Sequence, residues 1–231
     1  MESNQPRRGY LTLATWVMAL LLPVVLLLTN VRLLLTQAFV QIEYRMPGFP
    51  PDSFGFSQGD RLLWAPLALE FLLNNAGISF LGDMRFENGQ PVYNSRELRH
   101  MADVKRLTRA ALMLWEVGGL IVLVMLGWLA WRHPDVALLG LRRGGLLTVV
   151  LLALLFVGIL AGFNAVFVGF HRLFFQGDSW LFYYSDTLIR LFPERFWQDA
   201  FTFIAAATLI EGGALFFISG ALMKRRSRLS A

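Results

Sequence analysis

Four long apolar stretches divide this chain, at residues 11–35, 107–131, 144–168 and 200–223. At ~1.5 Å of helical rise per residue, each is long enough to cross the roughly 30 Å apolar core of a bilayer. The pattern therefore predicts four transmembrane helices. A polar start with Arg7 and Arg8 precedes the first, as in a signal peptide. That stretch is too long for a signal h-region, lacks a convincing small-x-small cleavage site and is followed by further spans, so it reads as an uncleaved first helix. Pro23 predicts a kink in it, and Arg32, near its far end, a side chain that snorkels to the interface.

Residues 36–106 follow a different pattern. They hold eight acidic and seven basic residues, five prolines (Pro47, Pro50, Pro51, Pro66, Pro91) and no apolar run of spanning length. A segment of this length with its own apolar clusters predicts a small folded cap rather than a loose loop. Ser57 and Asp60, three apart, predict a helix start before LLWAPLALEFLLNNAG, with a break at Pro66 and a stop at Gly77. Asn88-Gly89 between short β-friendly stretches predicts a hairpin. Asn94 with Glu97 three positions on predicts the capped start of a helix that carries His100, Asp103 and Lys105 and runs into the second span. The fold class that results is a membrane protein, mainly α, with four transmembrane helices and a small extracytoplasmic α+β cap.

Composition fits a bilayer: of 231 residues 56% are hydrophobic and 16% charged, with a mean hydropathy of +0.53, whereas soluble domains carry about 25% charged residues. The net charge of +5 would suggest nucleic acid in a soluble protein. Here the excess is confined to 1–10, 132–143 and 224–231, which hold nine Lys/Arg against two acids, while 36–106 and 169–199 hold ten against twelve. Positive loops and tails stay cytoplasmic. Both termini and the 132–143 connection are therefore expected inside, the cap and the 169–199 segment outside, and no nucleic acid as partner. The absence of cysteine excludes a thiol nucleophile, a cysteine-ligated metal, disulfides and acylation of the protein on its own cysteine.

The densest chemistry lies between Phe163 and Trp197, where twelve of thirty-five residues are aromatic. An interfacial belt accounts for rings alone. Here, however, His171, Asp186, Gln176, Asp178, Ser179 and Ser185 thread polar groups among them, a mixture suited to a lipid-bearing substrate. Topology sorts the three histidines: His133 falls on the cytoplasmic side, His171 just past the outer end of the third span, and His100 about seven residues, hence ~10 Å, before the second. Two imidazoles reach one depth, and imidazole is the default proton shuttle near neutral pH. Glu97 and Asp103 flank His100; Glu97 also serves as a cap, and Asp103 could orient a histidine or pair with Arg99 or Arg106. Two histidines with Asp103 and Asp186 would suffice as metal donors, but no H-x-x-x-H spacing supports a site, and neither metal nor cofactor is expected. No G-x-S-x-G elbow marks a serine nucleophile. Glu116 and Glu211 are intramembrane acids, functional candidates or buried carboxyls beside close-packed glycines.

Two segments, RELRHMADVKRL (Arg96–Leu107) and GFHRLFFQGDSWLF…DTLIRLFPERFWQDA (Gly169–Phe182, Asp186–Ala200), resemble the signature blocks of a bacterial four-span membrane family that includes the lipoprotein intramolecular transacylase. GDRLLWAPLALEFL and PVYNSREL resemble its cap. The resemblance implies an extracytoplasmic cap over four helices in the bacterial cytoplasmic membrane, and catalytic roles for His100 and His171. It also implies that an acyl chain moves from the sn-2 ester of a diacylglyceryl-modified lipoprotein to the α-amine of its N-terminal cysteine. Glu97, Asp103, Phe174, Phe175, Trp180, Asp186 and Phe192 are the candidate supporting or substrate-binding residues, with the lipoprotein and membrane lipid as partners. Such an aminolysis needs one proton acceptor and one donor around a single carbon, so the two rings are expected to face one cavity roughly 5–10 Å apart. The rings of Phe174, Phe175, Trp180 and Phe192 are expected to be largely covered. The alternatives are a non-enzymatic membrane protein that binds lipid or a partner through the aromatic segment, and an acyl hydrolase using Ser179 or Ser185.

Overall fold

The computed structural model describes residues 5–229, with side chains from residue 9 onward; Arg7 and Arg8 thus lie outside the described side chains. Its helices, in order, are α1 (Gln5–Leu34), α2 (Gln37–Glu43), α3 (Gln58–Leu73), α4 (Ser79–Gly82), α5 (Ser95–Arg132), α6 (Pro134–Phe174), α7 (Thr187–Leu191) and α8 (Glu194–Leu229). Four helices are long and apolar enough to cross a membrane: α1 from Gly9 onward, α5, α6 and α8. A helix satisfies its backbone N–H and C=O groups internally, which is what an apolar solvent demands of a spanning segment. The chain divides into two compact units. One takes in the chain up to Val31, Met113–Gly158 and the chain from Thr202; the other is Arg32–Leu112 with Ile159–Phe201.

The first unit packs through small residues. Met18, Leu22, Val122, Leu129 and Ala137 form its buried centre. A Cβ on Gly145 would lie 2.6 Å from the Gly212 carbonyl oxygen, so α6 and α8 touch backbone to backbone there, as close packing between apolar helices favours. Polar side chains add specific links: the Asn30 amide donates to Thr208 Oγ1 at 3.1 Å and to Glu211 Oε2 at 2.9 Å, and the Trp115 indole donates to Thr29 Oγ1 at 3.0 Å. Of the two intramembrane acids, Glu211 is thus tied to α1, whereas Glu116 is exposed. α1 continues through Pro23 as one helix.

In the second unit, α3 opens with the Ser57–Asp60 capping box, Ser57 Oγ accepting the Asp60 N–H and the Asp60 carboxylate accepting the Ser57 N–H. Three sequence expectations fail here. The helix does not break at Pro66 but runs to Leu73. An interior proline costs ~3 kcal/mol, and burial of Ala65, Ala68, Leu69 and Phe71 against two separate clusters offsets it. The helix stops at Asn74 rather than Gly77, with Asn74 Oδ1 accepting from the Ala76 N–H and the Lys105 ammonium. The third correction is the cap's class. Among the described residues there is no strand: the expected hairpin reduces to an isolated bridge, Arg85 to Pro91. Its turn is real, with the Gly89 N–H donating to the Phe86 carbonyl at 2.8 Å and Gly89 at φ 79°, where a side chain would be strained. The ladder cannot lengthen because Pro91 has no N–H, α4 ends at Gly82 and α5 opens at Ser95.

Two aromatic-rich cores hold this unit together. One gathers Phe71, Leu81, Val92, Tyr93, Met101, Leu188 and Leu191; the other gathers Val40, Tyr44, Ala65, Leu69 and Phe196. α7 is fastened by Tyr44 Oη donating to the Leu191 carbonyl at 2.7 Å and by the Arg190–Asp52 ion pair at 2.9 Å, with Arg190 also 3.5 Å over the Phe56 ring. Burial disfavours the Asp52 carboxylate, but the Arg190 hydrogen bonds and the Phe56 N–H outweigh it and hold its pKa below the usual carboxylate range. A depressed carboxylate stabilises the fold above its unfolded pKa and loses that contribution as pH falls through its lower folded value. Asp52→Asn is therefore expected to cost roughly 2 kcal/mol at neutral pH. Melting curves of wild type and variant should converge as pH drops below about 4.

Candidate active site

The site grows from the capped start of α5. Asn94 Oδ1 accepts the N–H groups of Arg96 and Glu97 at 2.9 and 3.0 Å, and Glu97 Oε2 returns the contact by accepting the Asn94 N–H at 2.7 Å. These are the reciprocal bonds that the Asn94–Glu97 spacing predicts. The second Glu97 oxygen accepts the Leu188 N–H of α7 at 2.6 Å, and the side chain is 1% exposed. Asp186 reinforces the junction: Asn94 Nδ2 donates to it at 3.0 Å, Arg96 at 3.3 Å and the Tyr183 N–H at 2.9 Å. Glu97 and Asp186 are thus occupied in fixing α5 against α7 and the segment before it. His100 stands three residues past Glu97, on the adjoining turn of the same helix face.

The second imidazole comes from α6. That helix is interrupted at Gly162 (φ 177°, ψ 87°), where two helical pieces meet, and the later piece carries Phe163, Phe167, Phe170, His171 and Phe174. His171 Nδ1 lies 2.8 Å from the Phe167 carbonyl one turn earlier. A carbonyl oxygen only accepts, so this nitrogen carries hydrogen and the ring's other nitrogen, Nε2, is the one available to bind a proton.

The two histidines are both buried and lie with ring centres 5.9 Å apart and planes 22° from parallel, inside the expected range. Aromatic rings surround them. Phe175 is 4.9 Å from His100 and 5.5 Å from His171, Phe182 is 5.3 Å from His100, and Trp180 is 5.0 Å from His171. Two polar atoms of this nest, His100 Nδ1 and Trp180 Nε1, are buried without a hydrogen-bond partner. Asp103, left open between orienting a histidine and pairing with an arginine, directs its oxygens to Arg106 and, at 3.5 Å, to Ser179 Oγ. These residues, with Arg99, Gln176 and Asp178, line an open cleft of about 490 Å³.

The remaining candidates separate. Phe175 is buried and Trp180 and Phe192 are half-buried, but Phe174 is 48% exposed, contrary to expectation. It is adjacent to buried Phe175 at the end of the helix and its ring lies 4.9 Å from that of Phe170. Phe192 belongs to the cores, packing on Phe196 and Trp197. His133 packs on Tyr10 and Trp128 in the other unit. Sequence reasoning missed Phe182 and the Phe167 carbonyl. The second had a signal, because Phe167 is four residues before His171 and the helix extends six residues beyond the apolar run that was read as its span.

Comparison with known proteins adds three findings. The family model described as lipoprotein intramolecular transacylase Lit matches residues 16–197. An uncharacterized protein of Aquifex aeolicus (strain VF5) is 32% identical over 215 residues, covering 92% of this chain and 95% of the relative. Among solved structures, the membrane-integral lipoprotein intramolecular transacylase Lit from Bacillus cereus superposes with a TM-score of 0.68 at 19% identity, over 96% of this chain and 99% of that one. A form of the same enzyme with one histidine replaced by alanine gives 0.71 at 18% identity, over 98% and 100%.

Proposed function

Because the chain belongs to the lipoprotein intramolecular transacylase family, we propose that it transfers an acyl chain from the sn-2 glyceryl ester of a diacylglyceryl-modified lipoprotein to the α-amine of that lipoprotein's N-terminal cysteine. The observation that carries this reading is the buried pair of imidazoles 5.9 Å apart, one of them with its Nδ1 already committed to a carbonyl. The amine attacks the ester carbonyl, and His171 Nε2 accepts the proton that the nitrogen loses. As the tetrahedral adduct collapses, the C–O bond to the glyceryl oxygen breaks, and the proton taken from the amine, passed from His171 to His100, goes to that oxygen. The pair takes one proton from the amine and gives one to the glyceryl oxygen, so it ends the cycle as it began. The reaction itself calls for no covalent enzyme intermediate.

Nucleophile and ester belong to one molecule, so orientation supplies much of the rate; well-aligned intramolecular reactions gain several kcal/mol of barrier. The apolar walls from Phe175, Phe182 and Trp180 accept a lipid and keep out the water that would otherwise hydrolyse the ester. The distribution of Lys and Arg supports a site on the outer face of the cytoplasmic membrane, with both termini inside.

The test is to mix purified protein with a diacylated lipopeptide in detergent and locate the acyl chains by mass spectrometry. The expected product carries one acyl on nitrogen and one on the glyceryl group at unchanged total mass. Release of free fatty acid would indicate a hydrolase, and unchanged substrate a non-catalytic lipid-binding protein.

A further inference from the structure

Among the described residues, five buried side-chain polar atoms lack a hydrogen-bond partner: Glu43 Oε1, Tyr93 Oη, Arg96 Nε, His100 Nδ1 and Trp180 Nε1. The last two share one cluster, joined by His171, whose ring is 5.9 Å from His100 and 5.0 Å from Trp180. A buried donor left unpaired costs about 1–3 kcal/mol, and a catalytic role is one of the reasons a fold keeps such an atom.

The two atoms differ in what they can do. An imidazole nitrogen both gives and takes a proton, whereas an indole N–H only donates a hydrogen bond and keeps its proton. The proposed reaction needs one group of the second kind. When the amine adds to the ester, the carbonyl π electrons move to oxygen and leave a negative charge there until the C–O bond breaks. Both imidazoles are then engaged in proton transfer, at nitrogen and at the leaving oxygen. The polar side chains nearest in sequence are committed elsewhere: Ser179 and Arg106 to Asp103, and Arg96 through its terminal nitrogen to Asp186.

On the functional reading above, we propose that Trp180 is a further catalytic residue, its indole N–H donating to the oxyanion of the tetrahedral intermediate. The indole ring packs tilted beside His171 (ring centres 5.0 Å apart, planes 36° apart), so its N–H belongs to the same nest as the base and does not compete for its proton. A donor fixed in an apolar, water-poor setting is worth far more to a developing charge than to the neutral ester, so it acts on kcat rather than on KM.

The test replaces the N–H and little else. Trp180→Phe, and the isosteric β-(3-benzothienyl)alanine at position 180, which puts sulfur where the N–H stood, are assayed on the diacylated lipopeptide. Each is expected to lower kcat by about 10²-fold with KM little changed. A lipopeptide with a phosphonate in place of the sn-2 ester, which mimics the tetrahedral anion, should lose affinity by a similar factor, while its ether analogue binds as before. In wild-type protein labelled with ¹⁵N-indole, the Trp180 N–H proton should move downfield when the phosphonate binds, a readout that survives if both variants fail to fold. Unchanged kcat, a rise in KM alone, or an indole resonance that ignores the phosphonate would each overturn the assignment. Wild-type protein that fails to convert the substrate would instead defeat the functional reading on which it rests.

Discussion

His171→Ala and His100→Ala are each expected to abolish acyl migration to within background, a loss of about 10²–10⁴-fold, while the protein stays folded. His171 presents a single free nitrogen, because Nδ1 is held by the Phe167 carbonyl; truncation removes the proton acceptor and leaves that carbonyl to the helix, a small structural change. His100 makes no hydrogen bond through Nδ1 and packs mainly on Phe175 and Phe182, so its loss leaves a modest cavity rather than a broken network. The two act as a unit on one proton circuit, and the double variant should be little slower than either single one. His133→Ala serves as control, since its ring packs on Tyr10 and Trp128 in the other unit, and should leave turnover nearly intact. Rates come from mass spectrometry of the lipopeptide, and folding from melting curves and size-exclusion profiles in detergent. Normal turnover by His100→Ala would remove the dyad.

Glu97→Ala is expected to be the most damaging single change to the second unit's stability. Its carboxylate accepts two backbone N–H groups, Asn94 at 2.7 Å and Leu188 at 2.6 Å, from a site 1% exposed. The Leu188 N–H is buried and gains no water when the side chain goes, a loss of about 1–3 kcal/mol, to which the part-buried Asn94 N–H adds a smaller amount. Glu97→Gln keeps one accepting oxygen but turns an amide N–H₂ toward the other donor, and should fall about midway. Thermal melting in detergent ranks the three forms. A melting temperature for Glu97→Ala equal to wild type would mean that the junction between α5 and α7 is held by packing alone. Activity should fall along with stability, because the same bond fixes the turn that carries His100.

Much of this was legible locally. The four apolar runs determine four spanning helices, since a bilayer admits little else for a chain of that pattern. The Ser57–Asp60 and Asn94–Glu97 spacings determine two capped helix starts, because a cap is a contract between residues within one turn. Local signals also misled where a larger packing energy overrode them. Pro66 reads as a breaker but stays inside α3 because that helix packs into two separate cores, and Asn88-Gly89 makes its turn without a sheet because Pro91 and α5 leave no room for one.

The site itself was legible in part. Charge distribution and span positions brought His100 and His171 to one level, and the density of rings between Phe163 and Trp197 marked the surroundings. Nothing in the sequence, however, assigns the second oxygen of Glu97 to an N–H 91 residues away, or sends Asp186 to Asn94 and Arg96 instead of to a histidine. Those choices belong to the tertiary structure. Capping and periodicity act between neighbours along one helix, where geometry is fixed by the backbone repeat. The partner of a buried polar group is decided by whichever donor or acceptor the packed chain brings within 3 Å after water has been excluded.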